Sequence, residues 1–583
     1  MSTTTEQPNI DNHARHDLSG NANANLACNS TDSNQNLIEC LLSEQQDLTA
    51  VDQFCRQVDQ DAVSDTGNYT QLMPATAPEP GQQYAFHVDL DRCSGCKACV
   101  TACHSLNGLD TGETWRKVGL LIGGTATQPV QQHVTTACHH CLEPACMAAC
   151  PVDAYEKDLV TGIVHHLDDQ CFGCQYCTLA CPYDVPQYHQ QKGIVRKCDL
   201  CKDRLSVGEP PACVQACPHE AIRITIADVE QVIEDSETTD FLPAAPDSDI
   251  TYPTTVYASA KSLPRNLLPA NYYSTQAQHA HWPLIIMLVL TQLSVGAFVV
   301  GLILEHVLDA GTAATLRPIH VGTAAVFGLV ALMSSLLHLG RPRYAYRALI
   351  GLKHSWLSRE ILAFGIFAAL SGLYATTGFI SADIQQMFQS ILSWSVAISG
   401  LLGVFCSVMI YAFTQRAFWN PVATATKFLL TATVLGIATT WLTLLVLSGL
   451  SRDLIMGTLA TTAGDALAQS LIAVTVIKLL FETAVFRHLL SRRTTSMKRS
   501  ARLLIGELSN AMFARFACGI LGGIIMPVFL ITRPEQTVVT AQDPVLTIVV
   551  MTLFTACLVG ESLERFLFFA AVAPQGMPGT MST

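Results

Sequence analysis

The chain has 583 residues, half of them hydrophobic, and a net charge of −13. This length exceeds what one compact domain usually holds, and the acidic balance argues against nucleic-acid binding, which needs clustered Lys and Arg. Residues 1–281 are polar, whereas 282–573 are dominated by long apolar runs, so we expect an aqueous part followed by a membrane part.

Residues 1–80 are rich in Asn, Ser, Thr, Asp and Gln, a composition that predicts a mostly disordered extension. Apolar residues recur at helical spacing within 37–60, which predicts a short amphipathic helix that docks on another surface. The alternative is a poorly ordered extension that contains one helix. The three cysteines of this region have no ligand spacing, and we assign them no role.

The 22 cysteines are concentrated, and sixteen of them form four motifs between residues 93 and 217. Zinc ribbons use isolated C-x2-C pairs without the C-x3-C-P tail that occurs three times here. Disulfide frameworks suit small secreted domains, and the first thirty residues lack the apolar core of a signal peptide. The motifs are C-x2-C-x2-C-x3-C at Cys93, Cys96, Cys99 and Cys103; C-x2-C-x4-C-x3-C-P at Cys138, Cys141, Cys146 and Cys150; C-x2-C-x2-C-x3-C-P at Cys171, Cys174, Cys177 and Cys181; and C-x2-C-x11-C-x3-C-P at Cys198, Cys201, Cys213 and Cys217.

This spacing favours [4Fe–4S] clusters, each of which needs four thiolates. A C-x2-C-x2-C loop surrounds three corners of the cube, and in two-cluster ferredoxins the last cysteine of each run ligates the neighbouring cluster. Four motifs therefore predict four clusters in two pairs. Strand-like runs at 84–89, 163–167 and 222–226 accompany the motifs. We expect an α+β, duplicated bacterial ferredoxin-like domain over 82–226, followed by a linker over 227–281 that is rich in Pro, Thr and Ala.

Four stretches carry a family resemblance: YAFHVDLDRCSGCKACVTAC from residue 84, CHHCLEPACMAACP from 138, CFGCQYCTLACPYDVPQY from 171, and RKCDLCKDR from 196 with CVQACP from 213. They resemble the iron–sulfur subunit of dimethyl sulfoxide reductases (DmsB type) and its relatives that serve other molybdopterin oxidoreductases. Nitrate reductase relatives have Trp where this chain has Cys177, so the resemblance implies four-iron clusters throughout. The implied ligand sets are Cys93, Cys96, Cys99 and Cys217; Cys138, Cys141, Cys146 and Cys181; Cys171, Cys174, Cys177 and Cys150; and Cys198, Cys201, Cys213 and Cys103.

The second half predicts an all-α membrane domain over 282–573, with a short tail at 574–583. Each apolar run is close to the length of about 20 residues that spans a bilayer. Lys478 and Glu482 lie four residues apart within one run, which predicts an ion pair on one helix face. The further charges of the last helices are expected to form interhelical ion pairs, and a proton path through them is the alternative; they are Arg515, Glu561, Glu564 and Arg565. The eight predicted helices lie near 282–304, 317–339, 358–380, 391–413, 424–449, 466–486, 511–532 and 545–573.

The stretches HWPLIIMLVLTQLSVGAF from residue 281, HLGRPRYAYRALIG from 338 and GESLERFLFF from 560 resemble the DmsC-type membrane anchor. The family's quinol-site residues fall at His338 and Glu360. The resemblance implies that Glu360 accepts a proton from quinol and that His338 hydrogen-bonds a quinol oxygen. Ionisable residues within membranes are functional hypotheses by default. The alternative is that both are interfacial residues satisfied by water or by helix ends.

Other cofactors are not expected on this chain. A b-type haem needs two histidines that face each other at depth, and His320 and His338 stand near opposite ends of one predicted helix. No unassigned region is long enough to house a molybdenum cofactor. The loops on the side of the cysteine-rich domain carry thirteen basic residues against three on the other side. The positive-inside rule then predicts an inner-membrane protein with the iron–sulfur domain in the cytoplasm.

Together these features predict an electron-transfer and anchor subunit. It would oxidise menaquinol from the membrane pool and pass electrons through four [4Fe–4S] clusters. The acceptor would be a separate catalytic subunit with a bis-pterin guanine dinucleotide molybdenum or tungsten cofactor, acting as an anaerobic dimethyl sulfoxide (S- or N-oxide) reductase. One alternative is reverse flow, in which a partner that oxidises formate, hydrogen or a sulfur compound reduces quinone. Another is a non-redox scaffold with structural clusters.

Overall fold

The computed structural model describes residues 71–238, 242–274, 276–376, 382–451, 454–532, 544–573 and 576–578. The amphipathic helix predicted within 37–60 lies outside these ranges.

The cysteine-rich domain consists of short strands and short helices, and most of the helices lie within the cysteine motifs. The strands are β1 Gln82–Asp89, β2 Lys117–Gly124, β3 Pro129–Thr136, β4 Tyr155–Lys157, β5 Val164–His166, β6 Gln187–His189, β7 Ile194–Arg196, β8 Ile222–Asp228, β9 Val256–Ala258 and β10 Leu268–Pro269. The helices are α1 Ala98–Leu106, α2 Ala145–Ala149, α3 Tyr176–Ala180, α4 Lys202–Ser206, α5 Ala212–Gln215 and α6 Val229–Thr238. This is the predicted α+β ferredoxin-like fold.

The first and last predicted strands pair with each other. β1 runs antiparallel to β8, with Tyr84 opposite Ile226 and Phe86 opposite Ile224. Tyr84, Phe86 and Val88 alternate along β1, so they share one face, and they are buried in the same apolar core. The pairing joins the sequence before the first motif to the sequence after the last, which closes the domain.

The segment expected as a linker is in part built into this domain. β9 pairs in parallel with β1, with Val88 opposite Tyr257, and β10 pairs antiparallel with β2. The hairpin of β2 and β3 was also not predicted. Backbone hydrogen bonds hold these strands at sheet edges that only partly face the core. Their sequences therefore show little alternation of apolar and polar residues, which is the pattern that predicts a strand. The described part of 227–281 therefore contributes two strands to the sheets of the cysteine-rich domain.

Within the described ranges, eight helical segments are long and apolar enough to cross a membrane, which confirms the predicted number. A π-helical turn, Leu521–Ile525, joins α14 and α15 into one span. The helix α13 is short and lies between two spans. The helices are α7 Trp282–Val307, α8 Ala310–Leu336, α9 Trp356–Thr376, α10 Ala382–Ala412, α11 Pro421–Ser451, α12 Leu454–Thr483, α13 Ser496–Ile505, α14 Ser509–Ile520, α15 Met526–Ile531 and α16 Pro544–Ala570.

The centre of the membrane domain is a close contact between α7 and α11. A side chain at Gly296 would collide with the backbone of Ala432, and one at Gly436 would collide with Gly296. Small residues let two helix backbones approach in lipid, where packing rather than the hydrophobic effect drives association. The pair α7 and α11 thus forms the frame around which the other spans are arranged.

The loop after α8 holds the cysteine-rich domain against the anchor. The Arg341 guanidinium donates to the carbonyl oxygens of Asp168, at 2.9 Å, and Lys192, at 3.2 Å. Ser355 Oγ donates to the carbonyl oxygen of Ala149 at 2.7 Å. A side chain at Gly340 would collide with the backbone of Gly193. The second and third cysteine motifs are therefore the part of the domain that rests on the membrane helices.

Candidate functional site

The four cysteine motifs share one backbone turn. The residue before the second cysteine of each motif has positive φ: Gly95 at 74°, His140 at 42°, Gly173 at 74° and Leu200 at 61°. His and Leu in this left-handed region are uncommon because the side chain crowds the backbone. Such turns direct successive N–H groups into a concavity that suits an anionic group. The repeated turn therefore supports four equivalent sites for thiolate-bound clusters.

The motif cysteines are free thiols, so the disulfide alternative does not hold. Throughout the described part of the chain, no group of three or more His, Cys, Asp or Glu side chains is arranged to hold a metal ion. The four-cysteine motifs, three of them with a C-x3-C-P tail, favour iron–sulfur clusters over zinc ribbons.

The thiols gather across motifs. Burial raises the pKa of the Cys146 thiol well above its ordinary value, and neighbouring Cys181, Cys138 and Cys141 raise it further. The same four residues line one small cavity.

The third motif gathers its neighbours in the same way. Burial raises the pKa of Cys177 well above its ordinary value, with further upward contributions from Cys174, Cys150 and Cys171. Each of these two sets takes one member from the other motif, as the resemblance implied. The assignment of ligands to individual clusters stays a prediction.

The outer pair of motifs shows the same exchange. Burial raises the pKa of Cys93, and Cys99, Cys217 and Cys96 add to that effect. These four residues line a second small cavity.

The fourth set is gathered around the last cysteine of the first motif. Burial raises the pKa of Cys103 to about 12, and Cys213 and Cys201 contribute in the same direction. The pKa of Cys198 is raised well above its ordinary value by burial, then by Cys138 and by Cys103. Cys138 belongs to the second set, so these two sets are neighbours.

Two buried cations lie among the thiols, and sequence reasoning missed both. Arg116 is 1% exposed, stacks 4.4 Å from the centre of the Phe86 ring and donates from one terminal nitrogen to the Thr135 hydroxyl at 3.2 Å. Lys197 is 3% exposed and lies 3.7 Å from Cys138 Sγ. Buried cations need negative partners. Thiolate-bound clusters would supply that negative charge, so the residues present fit the predicted cofactor.

Backbone donors also recur at corresponding thiols. The N–H of Ala154 donates to Cys150 Sγ at 3.3 Å, and that of Ala221 donates to Cys217 Sγ at 3.2 Å. Both thiols belong to C-x3-C-P tails and both donors lie four residues later in the chain. A hydrogen bond to a ligand sulfur raises the reduction potential of an iron–sulfur cluster above that of a cluster whose sulfur atoms accept none. The two tails thus present matched environments.

A cavity of about 350 Å³ lies where the cysteine-rich domain meets the anchor. We call it the junction cavity. It is lined by Cys174 of the third motif, by Tyr176, and by the two residues of the predicted quinol site, His338 and Glu360. Leucines and aromatic rings complete its walls. Asp184, Arg416 and several uncharged polar side chains also line it, and its size and mainly apolar surface are typical of a small-molecule site.

Glu360 lies in the second turn of α9 and is 3% exposed. Its Oε1 accepts a hydrogen bond from the Ser407 hydroxyl of α10. Tyr176, on the other side of the cavity, donates to the carbonyl oxygen of Ile410 at 2.9 Å. The carboxylate is therefore enclosed by protein rather than exposed at the helix end.

Histidines form the other wall of the junction cavity. The rings of His281 and His338 lie 4.9 Å apart edge to face, and His279 stands 4.9 Å from His281. Burial lowers the pKa of His338. Burial, then His338 and His279, lowers the pKa of His281 to about 4. Both rings are neutral at pH 7, so each has a nitrogen that can accept a hydrogen bond. His281 opens one of the stretches that resemble the anchor, which was the available signal for it.

A second set of charges lies in the later helices and forms interhelical ion pairs as expected, but Lys478 has a different partner from the predicted one. Lys478 pairs with Glu561 of α16, not with Glu482. Glu482 pairs with Arg515 of α14, which also lies 3.0 Å from Glu561. The pairing predicted along one helix is therefore wrong. In an apolar interior a charge pairs with an opposite charge on a facing helix as readily as with one on its own helix, so helical spacing alone does not determine the pair.

Comparison with known families identifies both halves of the chain. A family model described as DMSO reductase anchor subunit (DmsC) matches residues 276–571, about half of the chain. A model described as 4Fe-4S dicluster domain matches residues 130–226.

Similar proteins share the iron–sulfur half. The anaerobic dimethyl sulfoxide reductase B subunit of Haemophilus influenzae is 36% identical over 184 residues, which is 30% of this chain and 88% of that protein. Hydrogenase-2 operon protein HybA of Escherichia coli O157:H7 is 36% identical over 171 residues, 25% of this chain and 52% of that protein. Thiosulfate reductase electron transfer subunit PhsB of Salmonella typhi is 36% identical over 153 residues, 26% of this chain and 79% of that protein.

Proposed function

This protein belongs to the dimethyl sulfoxide reductase anchor subunit family and joins that anchor to an electron-transfer iron–sulfur subunit of the DmsB type; from this premise, we propose that it oxidises quinol in the junction cavity. The two electrons leave through four [4Fe–4S] clusters toward a separate molybdenum or tungsten catalytic subunit. One observation carries this proposal: a single cavity is lined by Glu360, His338 and the predicted cluster ligand Cys174.

Glu360 and His338 have different roles in the proposed quinol oxidation. Removing two electrons from a quinol releases two protons, and Glu360 is placed to take one as a carboxylate held by Ser407. His338, with its pKa lowered, accepts a hydrogen bond from the other hydroxyl. The apolar walls hold the ring and exclude water. The clusters, when bound, take up single electrons.

The proposed direction and sidedness rest on the membrane half. The basic loops predict that the iron–sulfur domain faces the cytoplasm, and the junction cavity opens at the same end of the helices as that domain. Protons from menaquinol would then be released on the cytoplasmic side of the inner membrane. The catalytic partner would dock on the iron–sulfur domain, away from the anchor, and reduce dimethyl sulfoxide or another S- or N-oxide.

Reverse flow is the second candidate, because one relative belongs to a hydrogenase operon. In that case a partner would deliver electrons to the clusters, and the junction cavity would bind quinone as the acceptor. Glu360 would then supply a proton to the quinone rather than remove one from the quinol.

Addition of a reduced naphthoquinol to the anaerobic full chain, carrying its clusters, tests the proposal. We expect the clusters to become reduced, as followed by EPR and visible absorption. Clusters that dithionite reduces but naphthoquinol does not would overturn it. If naphthoquinone also re-oxidises dithionite-reduced clusters in that case, reverse flow is the better account.

A further inference from the structure

A second cavity, of about 490 Å³, lies between the later helices at the end of the anchor that faces the iron–sulfur domain. We call it the lateral cavity. It is enclosed by the start of α11, the end of α12, α13, the start of α14 and the end of α16. Nothing in the proposed electron route uses it. Trp419 and Phe568, which stack 5.5 Å apart, form part of the wall between it and the junction cavity.

The charges around the lateral cavity do not balance. The interhelical ion network of the later helices contains four cations but three carboxylates among the described residues, and all of them are at most 15% exposed. The cations are Lys427, Lys478, Arg515 and Arg565, and the carboxylates are Glu482, Glu561 and Glu564. An uncompensated buried charge is costly, so the network requires one further anion.

The excess positive charge faces the cavity. Lys427 lines it, stands 4.8 Å from the Phe418 ring and reaches its nearest carboxylate, Glu564, only at 3.9 Å. Arg487 lines the rim and is exposed, and it has no ion-pair partner in the part of the chain that the structure describes. Both cations are therefore available to an anion in the cavity.

One acceptor also faces the cavity. Glu564 is 4% exposed and lines the cavity, yet neither of its carboxylate oxygens accepts a hydrogen bond from any described residue. A buried carboxylate without donors is costly. A ligand that completes this site must therefore carry an anion for Lys427 and Arg487 and a hydroxyl or similar donor for Glu564.

Apolar surface continues from the cavity toward the lipid. Val422 lines the cavity and is 73% exposed, and Leu490 and Phe513 nearby are 89% and 67% exposed. Phe481, Phe486 and Phe516 cover the inner walls. A soluble anion would leave this apolar surface uncovered, whereas acyl chains would cover it. Basic pockets between helices at the cytoplasmic face are known lipid headgroup sites.

We propose that the lateral cavity binds one anionic phospholipid of the phosphatidylglycerol class. The phosphate lies between Lys427 and Arg487, a headgroup hydroxyl donates to Glu564, and the acyl chains lie along the exposed apolar side chains. The lipid supplies the missing negative charge of the ion network. This inference does not depend on quinol oxidation.

Native mass spectrometry and thermal unfolding of the delipidated full chain test the proposal. Phosphatidylglycerol, phosphatidylcholine of the same acyl length and inorganic phosphate are titrated separately. We expect phosphatidylglycerol to be retained at one molecule per protein and to raise the Tm, whereas the other two have little effect. Equal stabilisation by phosphatidylcholine, or by inorganic phosphate alone, would overturn the proposal.

Single-residue variants test whether the lipid binds in the lateral cavity. Arg487→Gln should weaken phosphatidylglycerol binding about fivefold, whereas Arg492→Gln, an exposed residue on the same side that does not line the cavity, should leave it unchanged. Lys427→Met balances the network, so its lipid-free Tm should equal or exceed that of the native protein while phosphatidylglycerol no longer raises it. If Lys427→Met does not fold, the comparison of Arg487→Gln with Arg492→Gln still tests the proposal. Equal phosphatidylglycerol binding by these two variants would contradict binding in the lateral cavity.

Discussion

The anchor contains two buried carboxylates in opposite circumstances. Glu561 is 2% exposed and is surrounded by Lys478, by Arg515 at 3.0 Å and by the Thr431 hydroxyl at 2.8 Å. Glu360 is 3% exposed, and a single hydroxyl, that of Ser407, is its partner among the described residues. Both lie within membrane-spanning helices, so burial alone does not distinguish them.

The difference lies in what completes each site. The negative charge of Glu561 is met by cations from two other helices, so the group is already satisfied and holds α12, α14 and α16 together. Glu360 faces a cavity that adjoins a predicted cluster ligand, and under the proposed function its further partner is a quinol that gives up a proton. A paired buried charge indicates structure, whereas an unpaired one beside a cavity indicates chemistry.

Glu360→Gln should produce the largest effect. The amide keeps the shape and a hydrogen bond to Ser407 but cannot accept a proton. We expect quinol-dependent reduction of the clusters to slow by about 100-fold or more, as measured by anaerobic stopped-flow absorption, with dithionite reduction unchanged. A native rate in this variant would remove Glu360 from the reaction.

Glu561→Gln should act on stability instead. Removing this carboxylate leaves Lys478 buried without an anion, which costs about 3–5 kcal/mol. Denaturant unfolding in mixed micelles measures the loss. The folded fraction should still take electrons from quinol at the native rate. A slowed rate without loss of stability would reverse the roles assigned to the two carboxylates.

The hydroxyl groups that donate to Glu360 and Glu561 allow a further comparison of the two carboxylates. Ser407→Ala removes the single described donor to Glu360 and should slow cluster reduction about fivefold, the equivalent of ~1 kcal/mol for one hydrogen bond. Thr431→Ala leaves Glu561 with both cations and should lower the unfolding free energy by about 1 kcal/mol with the rate unchanged. Equal behaviour of the two variants in both assays would contradict the distinction.

The histidine wall should produce the smallest effect. The pKa of His281 is about 4 in the folded state against 6.5 ordinarily, so between these values the unfolded state binds a proton that the folded state does not. Stability should therefore be full above pH 6.5 and fall as the pH decreases toward 4. His281→Phe should flatten this part of the Tm profile, whereas His87→Gln on β1 should not. An unchanged slope in the first variant would mean that other groups govern acid sensitivity.

The helix number was predictable because it depends on a strong local signal, and the cysteine motifs are an equally local signal whose cluster sites stay a prediction. Spacing within each motif sets which thiols can share a cluster, and the cross-motif sets were then available from resemblance. Apolar length alone predicts a span such as α7. The partners of Lys478 were not predictable in this way, since helical spacing says nothing about which other helix faces it. Arg116 and Lys197 carry no motif, and their roles follow only from the thiols around them.

The metal content of the chain, purified without oxygen, tests most directly whether four clusters form the relay. Iron and acid-labile sulfide assays, with EPR of the reduced protein, measure it. We predict about sixteen iron atoms and a similar amount of sulfide per molecule, with spin interactions from clusters held in pairs. Zinc in place of iron, or substantially less iron after anaerobic handling, would contradict the proposed relay from the junction cavity onward.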